Sequence, residues 1–459
     1  MGFDIITPVD GSTYAHREHA SNKDIDGVLA KAKMAQENWR STSIEERARI
    51  CTKAVDWFKK NQLELSLELT WLMGRPAQHT PFEIQNGFVE RAEYMIDIAE
   101  MSLSRSDLMN EFDFRKYVKR EPLGSVLVLA PWNYPYLTSV NVIIPALMAG
   151  NTVILKHAEQ TALCAERYAE AFKAAGLPDG VFQFVHASHN QIANIIADSR
   201  IDYVAFTGSV EGGKAIQQAV GDRFISTGLE LGGKDPAYVC GDANLNQTIE
   251  NLVDGSYFNA GQSCCGIERI YVQKEVYDEF VDGFVELTKQ YLVGNPTEPN
   301  VTLGPLVRKR NAQNVQNQIA AAVKAGAKDV IDPTHFGIFE HPYLAPQILI
   351  DVDHSMSVMQ EETFGPVVGI MQVDNENEAI NLMNDSQYGL TASIWTSDQE
   401  RAISVGNRVN TGTWFMNRCD YLDPSLAWTG IKNSGNGCTL SSLGYDSLTR
   451  PKSFHLKNI

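Results

Sequence analysis

No stretch of the 459 residues approaches the roughly 20 apolar side chains that a bilayer-spanning helix needs. The first residues, MGFDIITPVDGSTYAHRE, carry no basic segment leading into a long apolar run, and Ile6 stands where a myristoylation signal has Ser or Thr. Neither a membrane span, a secretory leader nor a lipid anchor is expected. Basic residues are scarce: 39 Lys plus Arg against 56 Asp plus Glu give a formal charge of −17, which repels nucleic-acid backbones and anionic membrane surfaces. The seven cysteines (51, 164, 240, 264, 265, 419, 438) are odd in number and lack the paired spacing of a zinc site, so neither a disulfide framework nor a metal centre is expected. A reduced, cytoplasmic setting fits. Internal repeats, low-complexity linkers and the GxGxxG fingerprint are missing too.

What is present is ordinary for a globular protein, 44% hydrophobic and 21% charged residues, over a length that calls for two or three units sharing a large interior. Apolar residues recur at helical spacing from Ile25 to about Gln62, with Ser43 placed as a cap, and again from Ile84 to Ser104, where packing alone is expected. From Gly124 short apolar runs alternate with helical stretches: SVLVLA, TVILK, VFQFV (181–185), DYVAFTG (202–208) and FISTGLELGG (224–233). This βαβ rhythm predicts an α/β fold with a parallel sheet. Beyond Asp235 the mixture repeats, with strands expected at RIYV (269–272), VVGIMQV (367–373), SIWT (393–396) and TWFMN (413–417). FDFRKYVKREP and the terminal RPKSFHLK alternate polar and apolar residues and read as strands outside the main sheets.

Several candidate chemical groups fall where strands end, the edge at which α/β proteins bind ligands. Asn133, in PWNYP, is either an oxyanion donor or a cap for the following helix. Lys156 and Glu159 emerge together and suit a dinucleotide's ribose, the carboxylate favouring NAD over NADP; a surface ion pair is the other reading. Gly208 and Ser209 form a strand-to-helix turn whose amides attract phosphate, although such turns use Gly and Ser for conformational reasons alone. Glu230, before a double glycine, is a general base of raised pKa or the partner of Lys234. Cys264 follows a Gly-Gln turn where the chain is expected to enter a helix, whose amides would activate a thiol and hold an oxyanion; a buried Cys264-Cys265 pair is the alternative. Glu362 and Phe364 either clamp a nicotinamide ribose or serve as a capping acid and a core ring.

Taken in order, PWN, LKxxEQT, FTGS, ELGGK, GQSC and EETFGP, supported by GLPDGV, YGLTASIWT and SGNG, resemble the aldehyde dehydrogenase superfamily of the NAD(P)-dependent, non-acylating type from about Lys23 onward. The resemblance implies a Rossmann-like parallel-sheet cofactor domain (1–103 and 123–234), a second α/β catalytic domain (235–442) and a small β oligomerisation arm (104–122 and 443–459) joining a homodimer or homotetramer. It makes Cys264 the nucleophile, Glu230 the base, and Asn133 with the Cys264 amide the oxyanion hole. Trp132, Lys156, Glu159, Gly208, Ser209, Gly232, Glu362 and Phe364 would hold NAD, and Tyr134, Leu137, Tyr257, Phe258 and Leu422 would line the tunnel for a small aldehyde. The sequence departs from the pattern at His157, where proline is usual, at Ala427-Trp428-Thr429-Gly430, and at Thr439, where some members carry a second glutamate. Glu230 counts against a coenzyme-A-acylating member and Glu159 against an NADP-preferring one, while the complete catalytic set counts against a catalytically inert relative.

Overall fold

The computed structural model describes residues 2–108 and 113–457. Two sheets dominate it. The first has six strands in the order Gly435–Asn436, Ser226–Glu230, Tyr203–Thr207, Ser125–Ala130, Thr152–His157, Phe182–Phe184, all parallel except the first. Ser125–Ala130 is buried at every position, which explains why it reads as a continuous apolar run: helices cover both faces of a parallel sheet. The chain runs outward from this strand in one direction, returns, and continues in the other. A crevice therefore opens beyond the carboxyl ends of Ser125–Ala130 and Tyr203–Thr207.

The second sheet has seven strands, Lys328–Asp329, Gln347–Ile350, Val367–Val373, Ile267–Gln273, Asp235–Val239, Thr391–Trp395 and Thr413–Met416, parallel except at the first pair. Its core includes Tyr238, Tyr257, Phe280, Phe284 and Trp395, separate from the cluster around Trp39, Phe58, Tyr136 and Tyr168 that packs against the first sheet. A third, antiparallel sheet pairs Thr449–Lys457 with Phe114–Pro122 along nine residues and adds Ser106–Asp107. Parts of the two expected arms, 109–112 and 458–459, lie outside the described residues.

Helices form where the periodicity points. Asn22–Trp39 is closed by a Ser21–Asp24 capping box, and Ile44–Lys60 by Ser43, whose hydroxyl accepts from the Glu46 amide. The 84–104 stretch is not one regular helix. It opens with a π-helical turn, Glu83–Val89, followed by Glu90–Asp97 and Ala99–Leu103. At Gly87 in that turn a Cβ would lie 2.3 Å from Leu137 Cδ1, so the turn presses directly on the Pro135–Met148 helix. An amino-terminal hairpin, Gly2–Ile6 with Thr13–Glu18, is not anticipated by the sequence reading. Nor is Gly435–Asn436, which pairs with Leu229 and Glu230 of the first sheet although a boundary at 442 assigns it to the second. Among the described residues no helix is long and apolar enough to cross a membrane.

Candidate active site

Glu230 is the last residue of its strand and its carboxylate is held from both sides. Thr207 Oγ1 donates to Oε2 at 3.0 Å and Thr439 Oγ1 to Oε1 at 2.6 Å. Burial raises its pKa above the ordinary carboxylate value, opposed by the two hydroxyls and by the nearby Arg91 guanidinium. It does not pair with Lys234, whose ammonium instead meets Glu268 at 2.6 Å and Thr363 Oγ1 at 2.9 Å. The side chain that competed for Glu230 in the sequence is thus otherwise engaged.

Cys264 does not open a helix. It follows a single 3-10 turn, Phe258–Gly261, in which Asn259 and Ala260 adopt left-handed φ of 55°, and it leads through a turn into the Ile267–Gln273 strand. Helix amides therefore cannot activate this thiol. A buried polar network fixes the loop instead. Arg75 donates to Asn259 Oδ1 (3.2 Å) and to the Asn133 carbonyl (2.6 Å) and pairs with Glu83, and Asn259 Nδ2 donates to the carbonyls of Asn133 (3.3 Å) and Gln262 (3.2 Å). The Asn133 side chain makes no cap for the Pro135–Met148 helix; its Nδ2 donates one hydrogen to the Gln262 carbonyl at 3.2 Å, leaving the other available.

Three cavities meet around these residues. A cleft of about 760 Å³ is lined by Trp132, Asn133, Glu230, Gly232, Cys264, Glu362 and Phe364. It continues, across Trp132, Thr207, Gly208 and Ser209, into one of about 670 Å³ that contains Lys156, Glu159 and Arg308. On the far side lies a cavity of about 230 Å³ with Tyr134, Leu137, Phe258, Leu422 and Trp428 in its wall. Thr207, Glu230 and Cys264 line both the 760 Å³ cleft and this cavity, so thiol and carboxylate stand at the junction.

Within the long cleft, Lys156 is buried enough to lower its pKa, while Glu159 meets His19 Nε2 at 3.2 Å. Ser209 Oγ accepts from the Gly212 amide and caps Val210–Val220, whose N-terminus faces the cleft. A Cβ at Gly208 would come within 2.5 Å of the Phe206 ring. At the other end Trp132 and Phe364 meet edge to face at 5.6 Å. Glu362 accepts from the Gly233 amide at 3.0 Å, and burial with the neighbouring Glu268 charge pushes its carboxyl up to about 8.

Residues 1–454 match the sequence model described as the Aldehyde dehydrogenase family. Aldehyde dehydrogenase 1A1 of Ovis aries is 32% identical over 460 residues, covering 99% of this chain and 91% of the relative. A mitochondrial aldehyde dehydrogenase of Leishmania tarentolae is 33% identical over 99% of this chain and 91% of its own length. The solved structure of succinic semialdehyde dehydrogenase from Streptococcus pyogenes, in complex with NADP+, superposes with a TM-score of 0.95 at 30% identity, covering 99% of this chain and 100% of the other. The chain belongs to the aldehyde dehydrogenase family. It is an oxidoreductase that carries out NAD(P)-dependent aldehyde oxidation through the family's cysteine chemistry.

As an aldehyde dehydrogenase it corrects one expectation and explains the departures. Tyr257 does not line the substrate cavity: it is fully buried in the second core, its hydroxyl donates to the Gln347 carbonyl at 3.0 Å, and its ring packs on Phe284 and Tyr291. His157 is buried, bridges the Pro135 carbonyl (3.2 Å) and Thr161 Oγ1 (3.1 Å), and is pushed down to about 3 by burial, so it is neutral and structural. Trp428 forms a backbone bridge with Thr439 and thereby positions the hydroxyl that holds Glu230. Sequence reasoning missed Thr207, Arg75, Arg91 and Glu268. The last is buried and accepts from the Thr363 and Phe364 amides, fixing the EETFGP turn. For Arg91 and Glu268 the only hint was a charged side chain set among apolar neighbours, and Thr207 and Arg75 carried none.

Proposed function

We propose that the protein oxidises a small aldehyde to its carboxylic acid with NAD, using Cys264 as nucleophile, Glu230 as base and Asn133 with the Cys264 amide as oxyanion donors. The observation that carries this reading is the shared wall: Cys264 and Glu230 face both the long cleft and the small cavity, so one thiol reaches a carbonyl entering from one side and a cofactor lying on the other. The cleft fits a dinucleotide. Gly208 and the capped N-terminus of Val210–Val220 offer amides to a pyrophosphate, Lys156 and Glu159 suit a ribose, and Trp132, Gly232, Glu362 and Phe364 surround the end nearest the thiol.

Mechanistically, the Cys264 thiolate adds to the aldehyde carbon and the new oxyanion meets the free Asn133 amide hydrogen. When bound, the oxidised nicotinamide supplies the hydride acceptor. The thioester left on Cys264 is attacked by water, whose proton passes to Glu230. Its raised pKa makes that carboxylate a stronger base than a solvated one, and its threonine donors aim it at the junction of the cavities.

NADP is the second reading, favoured by Arg308 and Arg310, which line the same cleft as Lys156 and would attract a 2′-phosphate. Glu159 opposes it. The antiparallel pairing of Phe114–Pro122 with Thr449–Lys457 leaves Ser106–Asp107 at one edge, a surface suited to a homodimer or homotetramer. All seven cysteines are free thiols, which supports a cytoplasmic setting. The test is initial-rate kinetics with NAD and NADP for the parent and Cys264→Ala. The variant is expected to lose turnover and keep cofactor binding; substantial residual oxidation removes Cys264 from the mechanism.

A further inference from the structure

The amino-terminal hairpin is anchored on the end of the long cleft that contains Lys156 and Glu159. Glu159 opens the 3-10 turn Glu159–Thr161, and the next residue, Gln160, is buried and donates from Nε2 to the carbonyls of Ile6 (2.8 Å) and Leu72 (2.6 Å). The strand Gly2–Ile6 is thereby fastened to the turn that presents Glu159 to the cleft. The second strand, Thr13–Glu18, ends one residue before His19, whose Nε2 lies 3.2 Å from Glu159 Oε1. An ionised carboxylate only accepts, so this ring nitrogen carries the hydrogen. Glu159 lines the cleft and His19 does not, so the histidine grips the carboxylate from behind.

The backbone on each side of His19 is fixed, and so is its ring. Arg17 makes a two-pronged pair with Glu166 of the Ala162–Ala175 helix, Nε to Oε1 at 2.6 Å and Nη2 to Oε2 at 2.9 Å. The Ala20 amide donates to the His186 carbonyl at 2.8 Å, and the Ala20 carbonyl accepts from Gln191 Nε2 at 2.7 Å. Phe3 stacks on the His19 ring at 5.0 Å and meets His186 edge to face at 5.9 Å. The side chain of His19 is 16% exposed and that of Glu159 44%, so the hairpin supplies a rigid donor to a carboxylate that is otherwise free to turn. Lys156 and Arg308 attract the same carboxylate electrostatically from within the cleft, yet among the described residues its ion-pair partner is His19.

We propose that the amino-terminal hairpin is part of the cofactor site: His19 is a positioning residue that holds the Glu159 carboxylate ready for the ribose hydroxyls and thereby sets the preference for NAD over NADP. This rests on the reading of Glu159 as the ribose carboxylate. With Oε1 engaged by the hairpin, Oε2 is left to accept from the cofactor, and a side chain ordered in advance loses less entropy when the cofactor binds. Without His19 the carboxylate turns toward Lys156 or Arg308, which occupies its oxygens and weakens its repulsion of a 2′-phosphate.

Calorimetric titration of the parent and its variants with NAD and with NADP, in the absence of aldehyde, reads the effect without catalysis. His19→Leu is expected to raise the Kd for NAD roughly three- to tenfold, the size of a partly exposed charge-assisted hydrogen bond, and the Kd for NADP less than about twofold. His19→Gln, whose Nε2 reaches the same place, is expected to keep most of the parental ratio of the two Kd values. His19→Asn, whose shorter side chain ends at the Nδ1 position, is expected to narrow the ratio as leucine does, and it carries the test should His19→Leu fail to fold. In turnover the loss is expected in the cofactor KM rather than in kcat. Added to Glu159→Gln, His19→Leu should narrow the ratio little further, because it acts through the carboxylate that is already gone. Equal weakening of both cofactors, a ratio as narrow in His19→Gln as in His19→Leu, or full additivity with Glu159→Gln would overturn the proposal. A ratio that narrows in Glu159→Gln and stays parental in His19→Leu and His19→Asn would overturn it while leaving Glu159 at the ribose. An unchanged ratio in Glu159→Gln would overturn the ribose reading itself, and the role of His19 with it.

Discussion

Thr439→Val tests how the base is tuned. The Thr439 hydroxyl donates to Glu230 Oε1 at 2.6 Å and Thr207 to Oε2 at 3.0 Å, and both bonds favour the ionised carboxylate. Hydrogen bonds to charged groups contribute about 1.5–3 kcal/mol, so valine, which fills the same space without a donor, destabilises the Glu230 anion by roughly that amount. Burial already pushes the pKa of this carboxyl up, and losing a bond that lowered it moves it further in the same direction. A base must be ionised to take a proton from water. The acidic limb of the kcat profile is therefore expected to shift to higher pH, and on that limb turnover falls by roughly ten- to a hundredfold, since about 1.4 kcal/mol corresponds to tenfold. Above the limb the parental rate should return. The assay is kcat against pH from acid to alkaline at saturating aldehyde and cofactor, with Thr439→Ser as the variant that keeps the hydroxyl and the parental profile. A limb that stays in place, moves to lower pH, or moves equally in Thr439→Ser would refute the reasoning.

Glu230→Gln is expected to give a burst of reduced cofactor near one per active site followed by arrest, with an acyl adduct on Cys264 detected by intact mass; loss of the burst would mean that Glu230 acts before hydride transfer. Glu159→Gln should narrow the kcat/KM preference for NAD over NADP, because a neutral amide no longer repels a 2′-phosphate; an unchanged ratio counts against a ribose role. Cys265→Ala is expected to cost less than tenfold in kcat. That thiol is buried, bonded to Asp420, and pushed far above the thiol range first by its hydrogen bond with Cys264, so a loss matching Cys264→Ala would reverse the assignment of the nucleophile.

The strand ends that carry Asn133, Lys156, Gly208 and Glu230 were legible because apolar runs broken by Gly, Pro or Ser mark where buried strands leave a sheet. The contacts between them were not. Thr439 lies 209 residues from Glu230, and no local pattern announces that a threonine on a returning loop will bond the base. Tyr257 and Phe258 were both assigned to the substrate tunnel. Tyr257 ends a helix facing the second core, and the turn that follows swings only Phe258 into the cavity. The helix expected at Cys264 failed for a backbone reason. Asn259 and Ala260 take left-handed φ, which for alanine carries no sequence signal and which a buried Arg75–Asn259 network stabilises. Arg91 sits in a stretch read as packing, because amphipathic spacing cannot tell a guanidinium at a cavity from one at the surface.

The geometry that brings the base to the nucleophile resides in the crossing between the sheets. Leu231 to Lys234 connect the strand ending at Glu230 to the strand beginning at Asp235, and each residue of that crossing is constrained by something from elsewhere. A Cβ on Gly232 would lie 2.2 Å from Glu362 Oε1, and one on Gly233 would lie 2.4 Å from the Cys264 carbonyl oxygen. The first obstacle is the end of a flexible side chain and can move. The second is the backbone of the nucleophile's own turn, which the Arg75, Asn259 and Gln262 network holds fixed. Lys234 then ties the crossing to Glu268, and Glu268 to the amides of Thr363 and Phe364, so the base, the nucleophile and the EETFGP turn are referenced to one short segment. Glycine at position 233 follows from this close approach: the two chemical groups come from different sheets, and their separation is set where the backbones touch.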